Sequence, residues 1–186
     1  MATTKHTITA LVEDRPGVLT QMASLFRRRG FNIESLAVGP SEVSHLSRMT
    51  IIVDGTTTSV EQVRKQLDKI VEVVKVSDIT GDNTISRELA LIKVKATSVT
   101  RSEIIEIVDI FRANIVDVAS DSVTIEVTGD ENKIASLLNL LRGFGIKEID
   151  RTGRIAMTRG SLGSPPMKEQ PPKTSTKRQK TAESGK

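Results

Sequence analysis

The sequence of 186 residues lacks cysteine, tryptophan and tyrosine and has only two histidines. Without cysteine the chain has no disulfide, thiolate metal site or cysteine nucleophile, which fits a reducing compartment. Four phenylalanines are its only aromatic residues, so its cores must be built from isoleucine, valine and leucine. No segment approaches the ~18 apolar residues of a membrane helix, and the first residues show no secretory signal pattern. We therefore expect neither a membrane span nor secretion.

The net charge of +4 comes from the C-terminal end of the chain. Residues 160–186 contain six lysines and arginines and two glutamates, whereas residues 1–159 contain 21 basic and 21 acidic residues. Because the end segment is rich in Pro, Ser, Thr and Lys and poor in apolar residues, it is predicted to be a disordered basic tail. Binding of its KTSTKRQK stretch to an anionic surface is the alternative to a solvated tail. The neutral remainder removes most of the electrostatic case for nucleic-acid binding.

The neutral part of the chain contains an internal repeat, in which hydrophobic periodicity predicts the order βαββαβ twice. The predicted elements of the first half are His6–Val12, Val18–Arg29, Asn32–Val38, Ser47–Asp54, Val60–Ile70 and Val73–Thr80. Those of the second half are Leu89–Lys95, Arg101–Arg112, Asn114–Ala119, Val123–Thr128, Asn132–Arg142 and Ile146–Asp150, with a continuation toward Met157. This order predicts an α+β protein of two consecutive ferredoxin-like domains, residues 4–80 and 88–158, joined by a polar linker, residues 81–87.

Matching apolar positions support the alignment of the two halves. Asn32-Ile33 aligns with Asn114-Ile115 at an offset of 82 residues. In the predicted third strand, Met49, Ile51 and Val53 alternate with polar or smaller residues, as expected of a strand covered on one face. They align with an equally spaced apolar set at an offset of 74 residues, Val123, Ile125 and Val127. The shrinking offset predicts shorter loops in the second half.

Catalytic, metal-binding and RNA-binding patterns are all weak. His6 and His45 stand apart from each other and from any carboxylate pattern, so they are poor metal ligands. The chain has no G-x-S-x-G elbow, and its glycine-rich RGSLGS stretch does not open a helix. Glu61 and Lys65 have the spacing of a solvated helical ion pair. The third predicted strand of each half lacks the aromatic residues on which RNA-recognition modules stack bases.

The turn Asp14-Arg15-Pro16-Gly17, between the first strand and first helix, is the strongest candidate site. Gly17 removes the Cβ that would screen the first amide groups of the helix, and these N–H groups suit a carboxylate. Val18 and Leu19 would add an apolar wall, so the turn suits a small apolar amino acid. The structural alternative is a tight turn in which Asp14 caps the helix.

The corresponding loop of the second half, KATSVTRSEI, has neither proline nor glycine. Ser98 and Thr100 are predicted to be ordinary helix caps there. The difference favours an asymmetric duplication in which only the first copy binds a ligand.

The stretch EDRPGVLTQMASLFRRRGFNIESLAVGP, followed by LSRMTI, closely resembles the N-terminal ACT domain of the small, regulatory subunits of acetolactate (acetohydroxyacid) synthases. The resemblance covers about residues 4–158, including the second ferredoxin-like domain. RRGFNIESLAVGP is typical of that family rather than of ACT domains in general. The tail from Gly160 departs from the family pattern, in which the chain ends soon after the second domain.

The resemblance implies a regulatory chain without catalytic residues. Its partner would be a large catalytic subunit that carries thiamine diphosphate, Mg²⁺ and usually FAD and converts two pyruvates to 2-acetolactate and CO₂. The small subunit would activate this partner and confer feedback inhibition by valine in branched-chain amino-acid biosynthesis. The expected compartment is the cytoplasm, with the plastid stroma as the alternative.

The resemblance also implies a homodimer in which two ACT domains pair side by side and bind the effector at their interface. One protomer would contribute Asp14, Gly17, Val18 and Leu19, and the other Asn32 and Ile33. Gly39 matches a position linked to feedback sensitivity. Asn32 is also a common turn residue at a strand start. Two alternatives remain at this stage: a free-standing ACT-domain sensor that acts on another enzyme or regulator, and an interaction protein without a ligand.

Overall fold

The computed structural model describes residues 5–30, 32–54 and 60–160. The first half contains β1 (Lys5–Glu13), α1 (Val18–Arg29), β2 (Ile33–Pro40), β3 (Leu46–Asp54), α2 (Val60–Leu67) and β4 (Val73–Asp78). The second half contains β5 (Thr84–Lys95), α3 (Arg101–Ile110), β6 (Asn114–Val118), β7 (Ser122–Gly129), α4 (Glu131–Leu141), a short 3-10 turn (Arg142–Phe144), β8 (Ile146–Arg151) and β9 (Ile155–Thr158). The predicted disordered tail lies outside the described residues apart from Gly160.

The first domain is a four-stranded antiparallel sheet in the order β2-β3-β1-β4, with α1 and α2 packed on one face. Alternate residues of β1 enter the core because successive side chains of a strand point to opposite faces. The helices contribute residues spaced by three or four, as an amphipathic helix does. The core is aliphatic, with Phe26 as its one described aromatic member: Ile8, Ala10, Val12, Val18, Met22, Phe26, Met49, Ile51, Val53, Val60, Val63, Leu67, Val73 and Val76.

The second domain repeats this topology with the strand order β6-β7-β5-β8. Its core is built in the same way from β5, β7, α3 and α4, with Ile92, Ile104, Ile125, Ile134 and Leu141 fully buried. The predicted α+β class and the two ferredoxin-like domains are therefore confirmed. Most predicted helix and strand bounds agree with the structure to within three residues.

The predicted linker and last strand differ from the structure. Residues 84–87 form the start of β5, so the polar connection is shorter than predicted. They pair with β9, from Thr84 opposite Thr158 to Arg87 opposite Ile155. The predicted continuation of the last strand to Met157 is wrong, because the chain leaves β8 after Arg151 and returns as the separate strand β9. Thus β5 belongs to two ladders.

The expectation that β3 is covered on one face is also wrong. Thr50 and Ile52, which face away from the helices, are 4% and 0% exposed. The helices occupy the other face, and β9 of the second domain contacts β3. The outer face of the first sheet is therefore partly an interface between domains.

The backbone corrects the internal alignment by two residues. The Asp14 N–H donates to the His45 carbonyl at 2.7 Å, and the Ala96 N–H donates to the Asp121 carbonyl at 3.0 Å. These equivalent bonds set the offset between the two halves at 82 residues for the first strand. For the third strand they set it at 76 residues, where the sequence alignment predicted 74. A shift of two residues leaves each side chain on the same face, so hydrophobic alternation cannot detect it.

The segment between β8 and β9 joins the second domain to β2. The Arg154 N–H donates to Ser35 Oγ at 3.0 Å. Gly153 has φ +80°, and a Cβ there would lie 2.9 Å from the Leu36 carbonyl oxygen. An ion-pair chain reinforces the contact, because Lys5 binds both Glu34 and Glu131, and Arg154 binds Glu131.

Candidate functional site

The turn between β1 and α1 has no side-chain cap at the start of the helix. Gly17 occupies the N-cap position with φ 93° and ψ −16°, and within the described residues no side chain accepts a capping hydrogen bond. The prediction that Asp14 caps the helix is therefore wrong. The Gly17 carbonyl accepts the first helical hydrogen bond, from the Gln21 N–H at 3.0 Å. The N–H groups of the first helical turn remain directed outward, where a carboxylate is favoured.

A buried carboxylate, Glu72, holds this turn from the loop before β4. Glu72 Oε1 accepts from Arg15 Nη2 at 2.7 Å and from Gln21 Nε2 at 3.2 Å. Arg15 Nε also pairs with Glu13 Oε2 at 3.0 Å. A hydrogen bond from its own backbone N–H lowers the pKa of Glu72; Gln21 and Arg15 act in the same direction, and burial opposes them.

Sequence reasoning missed Glu72, and with it the role of Gln21, because Glu72 is 57 residues from Arg15 and 51 residues from Gln21 along the chain. The available signal was the position of Glu72 inside the apolar run IVEVV, where a carboxylate needs a partner.

The two aliphatic residues predicted to line the site have different surroundings. Val18 is 3% exposed and packs in the core of its own domain, so only its backbone N–H faces the site. Leu19 is 48% exposed and presents its side chain to the surface. The predicted apolar wall is therefore corrected, because only Leu19 of the two has its side chain exposed beside the turn.

Asn32 and Ile33 lie at the opposite end of the sheet from the turn. Ile33 pairs with Val53, which pairs with His6 near the start of β1. The turn follows Glu13, seven residues further along β1, which corresponds to about 23 Å of strand. A single chain therefore keeps the predicted halves of the site apart.

Gly39 lies at the same end of the sheet as the turn. It pairs with Arg48, which pairs with Leu11 near the end of β1. Beside it, Val38 is 48% exposed. Among the described residues no strand pairs with the outer edge of β2, so its backbone groups face outward along this edge.

The equivalent turn of the second domain is closed by its own side chains. The Thr97 N–H donates to Thr100 Oγ1 at 3.0 Å, and the Thr100 N–H donates to Thr97 Oγ1 at 3.2 Å. Thr100 is the N-cap residue of α3, but its side chain makes no capping hydrogen bond to the helix, so the prediction that Ser98 and Thr100 are ordinary helix caps is wrong. This reciprocal pair satisfies the N–H groups of Thr97 and Thr100 themselves, which precede α3, whereas neither α3 nor α1 has a side-chain cap from its N-cap residue.

Neither a metal-ion cluster nor a membrane-spanning helix occurs among the described residues. Within residues 5–30, 32–54 and 60–160, no three His, Asp or Glu side chains are grouped so as to hold a metal ion. His6 and His45 lie near opposite ends of the first sheet. In the same part of the chain, no helix has the length and apolar character to cross a membrane.

Comparison with known proteins identifies the family. The family model for the small subunit of acetolactate synthase matches residues 87–160, and the AHAS small subunit-like ACT domain matches residues 8–75. A probable acetolactate synthase small subunit from Archaeoglobus fulgidus is 58% identical over 157 residues, which cover 84% of this chain and 98% of that protein. The chain belongs to the acetolactate synthase small-subunit family. The resemblance read from RRGFNIESLAVGP is thus confirmed.

Other small subunits agree in length and fold. The acetolactate synthase small subunit of Mycobacterium leprae is 54% identical over 158 residues, covering 85% of this chain and 94% of the relative. The crystal structure of the small subunit from Thermotoga maritima superposes with a TM-score of 0.77 at 43% identity. That match covers 85% of this chain and 99% of the Thermotoga chain.

Proposed function

We propose that this chain activates a catalytic acetolactate synthase subunit and confers feedback inhibition by valine. The observation that carries the proposal is the asymmetry between the two strand-to-helix turns. The first turn has outward amide groups, a Gly17 without a Cβ and an exposed Leu19. The second turn has no glycine, and reciprocal hydrogen bonds between Thr97 and Thr100 hold it in place.

The catalytic chemistry belongs to the partner in this proposal. The large subunit binds thiamine diphosphate, Mg²⁺ and FAD and condenses two pyruvates to 2-acetolactate with loss of CO₂. This chain contributes no catalytic residue. It acts by changing the conformation of the partner.

The geometry of β2 supports a site shared by two copies of the chain. Two outer β2 edges paired antiparallel would place the Ile33 end of one strand beside the Gly39 end of the other. Because Gly39 lies at the same end of the sheet as the turn, Asn32 and Ile33 of one copy would approach Gly17 of its partner. The homodimer would thereby close the separation of about 23 Å.

Each part of this shared site has a chemical role toward valine. The first N–H groups of α1, including that of Val18, bind the carboxylate, and the positive end of the helix dipole favours it. The Asn32 side-chain oxygen accepts a hydrogen bond from the ammonium group, and Asp14 adds negative charge nearby. Leu19 and Ile33 contact the aliphatic side chain. Gly39 keeps the β2 edge open beside the turn.

Regulation requires that valine bind two states of the dimer with different affinity. A coupling free energy of about 1–3 kcal/mol changes affinity by roughly 5- to 150-fold. Valine would favour the arrangement of the ACT pair that activates the catalytic subunit less.

The Gly17→Asp variant tests this proposal. A carboxylate at this position would fill the space beside the amide groups and repel the valine carboxylate. The variant should still stimulate acetolactate production by the reconstituted holoenzyme, but valine should no longer inhibit that production. Gly160→Asp is the matched control, because Gly160 has φ +74° and, like Gly17, open surroundings; it should keep inhibition.

Inhibition of the Gly17→Asp holoenzyme at the wild-type valine concentration would show that the turn is not the effector site. Valine binding without any stimulation of a catalytic subunit would instead favour the free-standing sensor. Absence of binding to the wild-type chain would favour the ligand-free interaction protein.

A further inference from the structure

We propose that Glu72 is a positioning residue of the effector turn. It fixes the conformation in which residues 14–17 present the amide groups of α1 without contacting the effector itself. This inference rests on the proposed function and adds a residue to it that the sequence did not reveal.

Glu72 joins three consecutive parts of the chain. Its backbone carbonyl accepts the Glu13 N–H at 2.8 Å, at the end of β1. Its carboxylate accepts from Arg15, inside the turn, and from Gln21, on α1. At 9% exposed, it makes these contacts where water competes weakly. One buried residue thus contacts the strand, the turn and the helix around the candidate site.

The turn depends on such outside support because Gly17 provides little of its own. A glycine at φ 93° loses more backbone entropy on ordering than another residue would, and α1 has no side-chain cap. The Arg15 side chain is half exposed, yet its guanidinium is held between Glu13 and Glu72. Since Arg15 adjoins Asp14, this anchoring limits the backbone positions open to the site.

The second domain provides an internal comparison. There the Lys95 N–H donates to the Gly145 carbonyl at 2.9 Å, which is the equivalent of the bond from Glu13 to Glu72. Glycine at this position has no side chain with which to hold the neighbouring turn. That turn is closed locally by Thr97 and Thr100 instead. The buried carboxylate therefore occurs in the domain whose turn lacks this reciprocal threonine pair.

The test compares valine binding by full-length wild type, Glu72→Gln, Arg15→Gln and the double variant, using titration calorimetry. Glu72→Gln keeps the shape but removes the charge, so we expect the dissociation constant for valine to rise about tenfold. If Glu72 acts through Arg15, the two substitutions should not add. The double variant should then bind valine as tightly as whichever single variant has the lower affinity. Activation of the catalytic subunit should stay at the wild-type level in all of them.

Glu61→Gln is the matched control, because Glu61 is an exposed carboxylate that pairs with Lys65 at 2.8 Å in α2. It should bind valine like the wild type. Unchanged affinity in Glu72→Gln would overturn the inference, and so would additive effects in the double variant. A parallel loss of binding and activation would mean a general structural role, which also overturns it. Failure of the wild type itself to bind valine would instead reject the proposed function.

Discussion

The two ferredoxin-like domains share a strand order, an aliphatic core and equivalent backbone hydrogen bonds, yet they differ where the first strand meets the first helix. In the second domain, Thr97 and Thr100 close this turn from within. In the first, Gly17 leaves it open and a distant carboxylate, Glu72, holds it. The difference shows how one topology carries a structural turn in one copy and a candidate binding turn in the other.

The largest expected effect tests whether the two domains are independent units. Gly153→Ala would place a Cβ 2.9 Å from the Leu36 carbonyl oxygen and force alanine to φ +80°. We expect the free energy of unfolding to fall by about 2–4 kcal/mol, measured by urea denaturation. Gly160→Ala has a similar φ and no atom within 4 Å, so its smaller loss measures the backbone strain alone. Equal losses in the two variants would show that the contact with β2 contributes nothing.

An intermediate effect would sharpen the contrast between the two turns. Thr97→Ala removes a reciprocal side-chain bond and should cost about 1 kcal/mol of unfolding free energy. Asp14→Ala, at the turn without a side-chain cap, should stay within about 0.5 kcal/mol. Thermal denaturation of the two variants side by side checks this order. A larger loss for Asp14→Ala would contradict the assignment of the first turn as uncapped.

The smallest effect concerns the ion pairs between the domains. Hydrogen bonding from Lys5, followed by the Arg154 charge, lowers the pKa of Glu131, while burial opposes them. Hydrogen bonds to Glu131 and Glu34 raise the pKa of Lys5. Ionised Glu131 stabilises the folded protein above its ordinary pKa of 4.5, and this stabilisation is lost as the pH falls through the lowered pKa. Charged Lys5 stabilises the folded protein below its ordinary pKa of 10.5, and this stabilisation is lost as the pH rises through the raised pKa.

The stability difference between wild type and Glu131→Gln should therefore be constant from about pH 5 to 10 and shrink below about pH 4. Because these groups are partly exposed, it should stay under about 1 kcal/mol. Urea denaturation across this pH range measures it. Glu106→Gln, on the exposed face of α3, is the control and should show no such dependence. A difference that does not shrink as the pH falls below about 4 would exclude the charge of Glu131 as its source.

The fold was largely predictable because hydrophobic periodicity determines which face of each strand and helix is buried. The same argument explains the errors. Hydrophobic alternation along a strand has a period of two residues, so it cannot distinguish an offset of 74 residues between the third strands from one of 76. The pairing of residues 84–87 with β9 joins segments that are distant in sequence, and the burial of Ile52 depends on contacts between the domains, so neither could be predicted.

The candidate site was predictable only in its local part. Proline, glycine and a following helix identify the turn from adjacent residues. The roles of Val18 and Leu19 required the helix orientation, which places one in the core and the other at the surface. Glu72 was missed because its contacts with Arg15 and Gln21 are long-range.

The two ladders of β5 have a mechanical consequence for the whole chain. Its first four residues pair with β9, and its remaining residues pair with β7 and β8. Because β5 holds β7, β8 and β9 together, a change in the angle between the domains leaves these pairs intact and falls on residues 79–83, between β4 and β5, and on the contacts of residues 153 and 154 with β2. A displacement at β2 would therefore reach the second domain as a movement of the whole body.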